Sequence, residues 1–576
     1  MHSKDLSFNA SGDREVKIWL AIVIGSIVSV AVLWLTSLPL GIPGEWAWER
    51  AAPEPDWFWN LSSGAVAAGL FIGFVLQGRR RLESYIAKPT LLMRLEVVVW
   101  LMGLVVFSFA WIWIVQEISP TKNRLGKSAF VLYYPSSSGY FTRARYEESK
   151  SAPLLTGYEH LMSEGDVLHT GTHPPGLFLI FQGLIGICEA SQPLSAMLDA
   201  TQPASFREAC DIIRTNTMRG RMPRHLLDLD RRVLWLATVL VMFSASLTII
   251  PLFGLLRRGC DLPNSWTFAA IWPAMPAIAI FVPKSDAMFP LVGVTLLWLW
   301  LTAWDRRSLI LALLSGAVTW CGLLCSLAFL PVILAAILLA IGPPLLSLLP
   351  VFDDHISTDL SGERKSKIGL RQCLCFVAAG LGMAIPTFVL WAFTNLNMMH
   401  VWYLNYRNHA AFYSQYSRTY WKWLVLNPME LSIAAGWPVT LLAMLTCLRL
   451  LHRLRGRTAT GLTPPGMIDS GVIVFVWGAL WLTGKNSGEA GRLWILFLPW
   501  LIWLASLEFS PARSAPSKSN EVRTRKLVAD SPILAVFATY SEVDVRQRQA
   551  LLLLAMQFAV CLLTVARVNG FHLESN

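Results

Sequence analysis

Four short stretches of this chain carry side chains able to do acid–base or phosphate chemistry. EGDVLHTGTHPPG (164–176) holds Asp166, His169 and His173, and PKSDAMFP (283–290) holds Asp286. GEAGRLW (488–494) holds Glu489 and Arg492, while the aromatic segment 395–423 adds Arg407, His409 and Arg418. A carboxylate can take a proton from a hydroxyl, and a guanidinium matches the geometry of a phosphate. His173 precedes a proline, which holds its backbone extended at the entrance of the apolar run 176–187. Each stretch also has a plain structural account. His173 could simply cap a helix, Ser285 or Asp286 could serve as an N-cap, and Glu489 and Arg492 could pair with each other at i, i+3. Aromatic-rich segments such as 395–423 are usually belts at a membrane surface. The four-residue spacing of His169 and His173 suits a metal pair only on a helix; Gly171 and Pro174 make it a turn, so no metal is assigned.

The surrounding chain decides where such groups can sit. Over 576 residues, 54% are hydrophobic and only 15% charged, and the mean hydropathy is +0.49. A soluble protein of this size carries nearer a quarter charged residues, so the composition predicts an all-α polytopic membrane protein. About thirteen apolar segments reach span length, centred near residues 29, 67, 105, 244, 274, 296, 317, 338, 382, 441, 475, 500 and 557. The first, 18–40, is too long for a signal-peptide core and has no cleavage site after it. Its retention as a span is expected.

Charge sets the orientation. Arg79, Arg80, Arg81, Lys88 and Arg94 follow the second span, Arg257 and Arg258 the fourth, and Arg306 and Arg307 the sixth. Arg364, Lys365 and Lys367 follow the eighth, Arg449 to Arg457 the tenth, and Arg513 to Lys526 the twelfth. Clusters after every even-numbered span put the N-terminus in the cytoplasm and all four chemical stretches on the opposite face. The same arrangement explains the net charge of +11 without nucleic acid, for which no basic motif is present. One condition attaches: residues 176–188 must not cross the membrane, and their short length suits a re-entrant or interfacial helix. The expected layout is N-terminal spans over 1–115, an extracytoplasmic loop over 116–231 and a membrane core over 232–508. A cytoplasmic linker over 509–548 and a last span with external tail over 549–576 complete it.

Mid-span ionised residues are nearly absent, whereas an ion-coupled transporter usually shows them. The polar chemistry collects on one face instead. Cys373 and Cys375 have no partner pair, so zinc is not expected.

On these residues the chain resembles the GT-C superfamily of membrane glycosyltransferases, in particular the protein mannosyltransferase and lipid A aminoarabinose transferase branch. GDVLHTGTHPPGLFLIF (165–181) looks like that branch's (H/K)-P-P turn into a hydrophobic helix, and PKSDAMFPLVGV looks like its lone Asp opening a span. The likeness covers about residues 95–310 in order of elements and extends less surely to GEAGRLW. It implies transfer of a sugar from a polyprenyl-phosphate donor to an extracytoplasmic glycan, lipid or protein acceptor, with a divalent metal left open. Asp166 would be the base, Asp286 a second site carboxylate, and His173 an orienting group. Arg492, Arg143 and Arg145 would hold phosphate, with Glu489 and His169 on the donor side. The family places an acid shortly before the loop tyrosine; here Ser136, Ser137, Ser138 and Gly139 precede Tyr140. That departure keeps an inactive partner subunit among the readings, beside a lipid-linked substrate transporter. A bacterial cytoplasmic membrane is the expected location, since no retention signal closes the chain.

Overall fold

The computed structural model describes residues 5–84, 91–147, 151–167, 171–218, 225–346, 369–454, 464–509 and 532–571. His169, Lys88 and the basic clusters at 364–367, 455–457 and 513–526 lie outside the described residues.

Seven helices are long and apolar enough to cross a membrane: Val16–Leu35, Trp57–Glu83, Leu92–Glu117, Asp228–Leu256, Ser285–Arg306, Leu370–Thr394 and Gln547–Val565. Five shorter apolar helices, Leu309–Cys325, Leu327–Gly342, Trp437–His452, Ile468–Leu482 and Ile495–Phe509, fall at expected span positions. The position centred near 274 is different. It is broken into Leu262–Ala269, Trp272–Ala274 and Pro276–Phe281, because Pro273 and Pro276 each remove a backbone donor. Every residue from 263 to 283 is buried, so this broken rod is packed inside protein.

Burial separates centre from rim. In Asp228–Leu256 and Ser285–Arg306 about two thirds of the most apolar window is buried (67% and 61%), against 17% in Val16–Leu35 and in Leu370–Thr394. The rim helices turn Leu20, Val28, Val377 and Phe388 outward, which suits lipid as their solvent.

Polar connections gather into two groups. In the first, Glu54 accepts the Thr121 N–H (2.8 Å) and Lys127 donates to the Ala279 and Ile280 carbonyls (3.0 Å each). Glu159 meets His400 (2.5 Å), Glu45 accepts from Thr419 and Trp423, and Tyr413 accepts from Asn486 (2.7 Å). In the second, Arg79 pairs with Glu83 (3.0 Å) and donates to Thr267 (2.8 Å). Arg258 pairs with Asp305 and Arg449 with Glu508. The first group links the connections after odd-numbered apolar segments, the second those after even-numbered ones.

A small antiparallel sheet departs from the all-helical expectation. Strand β1 (Leu40–Ile42) pairs with β2 (Trp46–Arg50), and β2 pairs with β3 (Val568–Asn569) through Glu49 and Asn569. Gly41, at φ +142°, permits the hairpin, since a Cβ there would lie 2.4 Å from the Trp46 carbonyl oxygen. Strands this short leave too little alternation to be seen in sequence. The last helix also begins early, at Pro532, so residues 532–548 are helical where a linker was expected. Their helix formers run unbroken into the apolar stretch.

Gly176–Ala190 and Gln192–Thr201 form a pair bent by 105°, the geometry of a broken span or re-entrant loop. Ser191 sits at the bend, and its hydroxyl accepts the Leu194 N–H (3.3 Å). Nearby, Asp230 is fully buried, accepts from Arg145 and from the Tyr146 hydroxyl (2.8 Å each), and also caps Leu227 N–H (2.9 Å). Removing one partner of such a pair strands the other charge. Asp230→Ala should therefore lower stability by about 3 kcal/mol, read as earlier unfolding in detergent. Unchanged unfolding would show the pair to be incidental. Cys188 and Cys210 are buried free thiols.

Candidate active site

The turn that ends in His173-Pro174-Pro175 is held from two sides. Tyr158 donates its hydroxyl to the His173 carbonyl (2.7 Å). Asn408, from helix Met398–Gln415, donates to the carbonyls of Met162 and Gly171 (2.9 Å each). A Cβ at Gly171 would sit 2.1 Å from the Asp166 carbonyl oxygen, so only glycine lets the chain fold back on itself there. The His173 ring then lies edge-on to Tyr140 (5.5 Å between centroids) and near His409 (6.3 Å). Burial, helped by Lys485, pushes His409 down to about 4; it is neutral at physiological pH.

Tyr140 is the hub. Its ring is buried beside Phe178 (5.2 Å), and its phenol sits within electrostatic reach of Asp286, Arg492 and Asp166. Burial first, and then Asp286, raises that phenol well above its ordinary range. Asp286 lies in the 3-10 turn Ser285–Ala287, which joins the broken rod to helix Phe289–Arg306. Its charged neighbours are Arg492, Lys284 and Glu489. Arg492 pairs with Glu489 at 2.5 Å across i, i+3, the pairing that the sequence allowed, while Asp286 adds a second carboxylate to its surroundings.

Lys284 was not among the residues singled out by sequence. Its ammonium donates to the Ser137 carbonyl, inside the serine triplet. Burial, together with Arg492, pushes its amine down to about 7. With Ser138, Tyr140 and Ser285 it lines a small cavity together with apolar side chains such as Leu132, Leu177, Phe181 and Met288. At about 30 Å³ this cavity holds no more than a water-sized group beside the Lys284 ammonium.

The structure thus brings Asp286, Glu489, Arg492 and His173 around Tyr140. Asp166 joins from the far side through its field on Tyr140 and Tyr158. Arg143 acts on Tyr158 and pairs with Glu147 at 3.7 Å. Arg145 is directed instead to Asp230. Glu430, also missed by sequence, is 8% exposed and packed on the 488–491 turn. The signal for it was available: a lone acid in the otherwise apolar LNPMELSIAA (426–435). Among the described residues no cluster of three or more His, Cys, Asp or Glu could hold a metal ion.

The fold defines a helical protein with seven apolar helices long enough to cross a membrane. No protein-family model matches the chain, and no curated protein matches it closely enough to count as a relative.

Proposed function

We propose that this protein is a membrane glycosyltransferase that moves a sugar from a polyprenyl-phosphate donor to an acceptor on the extracytoplasmic face. The observation that carries this reading is the gathering of Lys284, Arg492 and Asp286 around the buried Tyr140. In that reading the donor phosphate meets Lys284 and Arg492. Asp166 takes the proton of the acceptor hydroxyl, whose oxygen attacks the anomeric carbon. The carbon–oxygen bond to phosphate breaks, and the phosphate leaves with the electron pair onto the two cations. Asp286 holds those cations in place, and His173 orients the turn. The reading follows the GT-C resemblance carried by the HPPG turn and the lone Asp of the sequence.

Thirteen crossings suit this plan. Strand β2 follows the first apolar helix and β3 follows the last, and they pair. An even number of crossings therefore separates them, and the total is odd. Twelve intact apolar helices plus the broken rod at 262–282 meet that condition when the bent pair at 176–201 is re-entrant. The second polar group, with Arg79, Arg258 and Arg449, is then cytoplasmic, as is the N-terminus, in a bacterial cytoplasmic membrane.

The serine triplet favours one second reading, an inactive relative that binds donor as a partner subunit. A transfer assay separates them. Purified protein with a panel of labelled polyprenyl-phosphate sugars is expected to release polyprenyl phosphate in a sugar-dependent way, and Asp166→Asn should abolish release. Donor binding without release would support the inactive partner. No binding at all would return the protein to the transporter class.

A further inference from the structure

The loop that presents Arg492 adopts an unusual path. Asn486, Gly488 and Glu489 all have left-handed φ (62°, 78° and 57°); glycine and asparagine adopt that conformation readily, whereas Glu489 holds it only when its surroundings impose it. The imposing element is helix Tyr420–Ala435. Its Trp423, Asn427 and Glu430, spaced i, i+4, i+7, share one buried face. Asn427 donates to the Asn486 carbonyl and accepts the Gly488 N–H (3.3 Å each). Glu430 Oε1 accepts the Gly491 N–H at 2.9 Å and the Trp48 indole N–H at 3.0 Å. A Cβ on Gly491 would lie 2.5 Å from the Trp48 ring, so helix, strand β2 and loop interlock at this point.

We propose that Glu430 is the positioning residue of the site: as a neutral carboxylic acid it clamps the 486–491 turn and so aims Arg492 at the anion it binds. The inference rests on the anion-binding role of Arg492 proposed above. Neutrality follows from the surroundings. Glu430 is 8% exposed, a costly position for a full charge that the N–H groups of Gly491 and Ala490 and the Trp48 indole only partly offset. The charged groups facing it are Glu489 and Arg492, with Asp286 and Lys284 beyond them. Burial, with Glu489 adding to it, outweighs those hydrogen bonds and moves Glu430 up to about 8. Below that pH it leaves Arg492 to two carboxylates. Above it, a third competes with the ligand for the same guanidinium.

The test uses the full chain in detergent and a polyprenyl monophosphate as probe, at pH 7 and pH 9. Lys284 titrates in the same range, so the readout is the difference between variants that all retain it. Glu430→Gln keeps the acceptor oxygen and loses the titration. It should bind within about twofold of wild type at pH 7 and should not share the further Glu430-dependent loss, roughly tenfold, that wild type suffers by pH 9. Glu430→Ala should bind about tenfold or more weakly at both pH values and exchange the amides of 486–492 faster. The infrared carbonyl band of a buried protonated carboxyl should fade in wild type as pH rises through about 8 and be absent from Glu430→Gln. Wild-type binding by Glu430→Ala, or the same alkaline loss in Glu430→Gln, would overturn the proposal. If no variant binds the probe, wild type included, the donor reading itself fails. Amide exchange and the infrared band then decide the clamp alone.

Discussion

Arg492→Gln is expected to lower sugar transfer by roughly a hundredfold to a thousandfold, the usual loss when one preorganised charge stabiliser is removed. Arg492 is the permanent cation at the site, since no accessible pH discharges a guanidinium. The second cation, Lys284, is pushed by burial and by Arg492 to about 7 and so is charged below that pH and neutral above it. Arg492→Gln removes one cause of that depression, so its residual activity should rest on Lys284 alone and fall with rising pH at a pH above 7. Arg492→Lys keeps a charge but not the fork, and should recover only part of the loss. Activity within twofold of wild type for Arg492→Gln, in protein that unfolds normally, would remove Arg492 from the site.

The two aspartates should separate kinetically. Asp166→Asn is expected to reduce kcat by about two to four orders of magnitude with little change in KM, because it lacks the group that accepts the acceptor's proton in the proposed reaction. Asp286→Asn leaves Lys284 and Arg492 without the carboxylate between them. It should raise KM for the donor and lower kcat/KM by about a hundredfold. Full activity in both variants would falsify the assignment of these carboxylates. Measuring each against donor and acceptor concentration separately distinguishes the roles.

Much of the site was legible in the chain because its parts lie in polar stretches interrupting apolar ones. Asp286 and Arg492 stood out for that reason, and the Glu489–Arg492 pair follows from three-residue spacing alone. Arg145 looked equivalent to Arg143 in the same segment, yet the buried Asp230 captures it. Sequence order cannot show that capture, because 85 positions separate the partners. Lys284 stood two residues from Asp286 and was passed over, since a lysine beside a span is ordinarily a solvated flank. Glu430 was hidden by its apolar neighbours.

The sequence by itself determined the helical, apolar character of this protein, the order of its apolar helices and the connections that hold the candidate site residues. Those are consequences of local composition: a run of about twenty apolar residues can satisfy its backbone as a helix whatever surrounds it. Only the tertiary structure decided that the rod at 262–282 breaks and is buried, that Lys284 reaches the serine triplet, and that Glu430 clamps the Arg492 turn. Each depends on which surfaces meet across long stretches of chain, and on the burial that sets charge and conformation once they do.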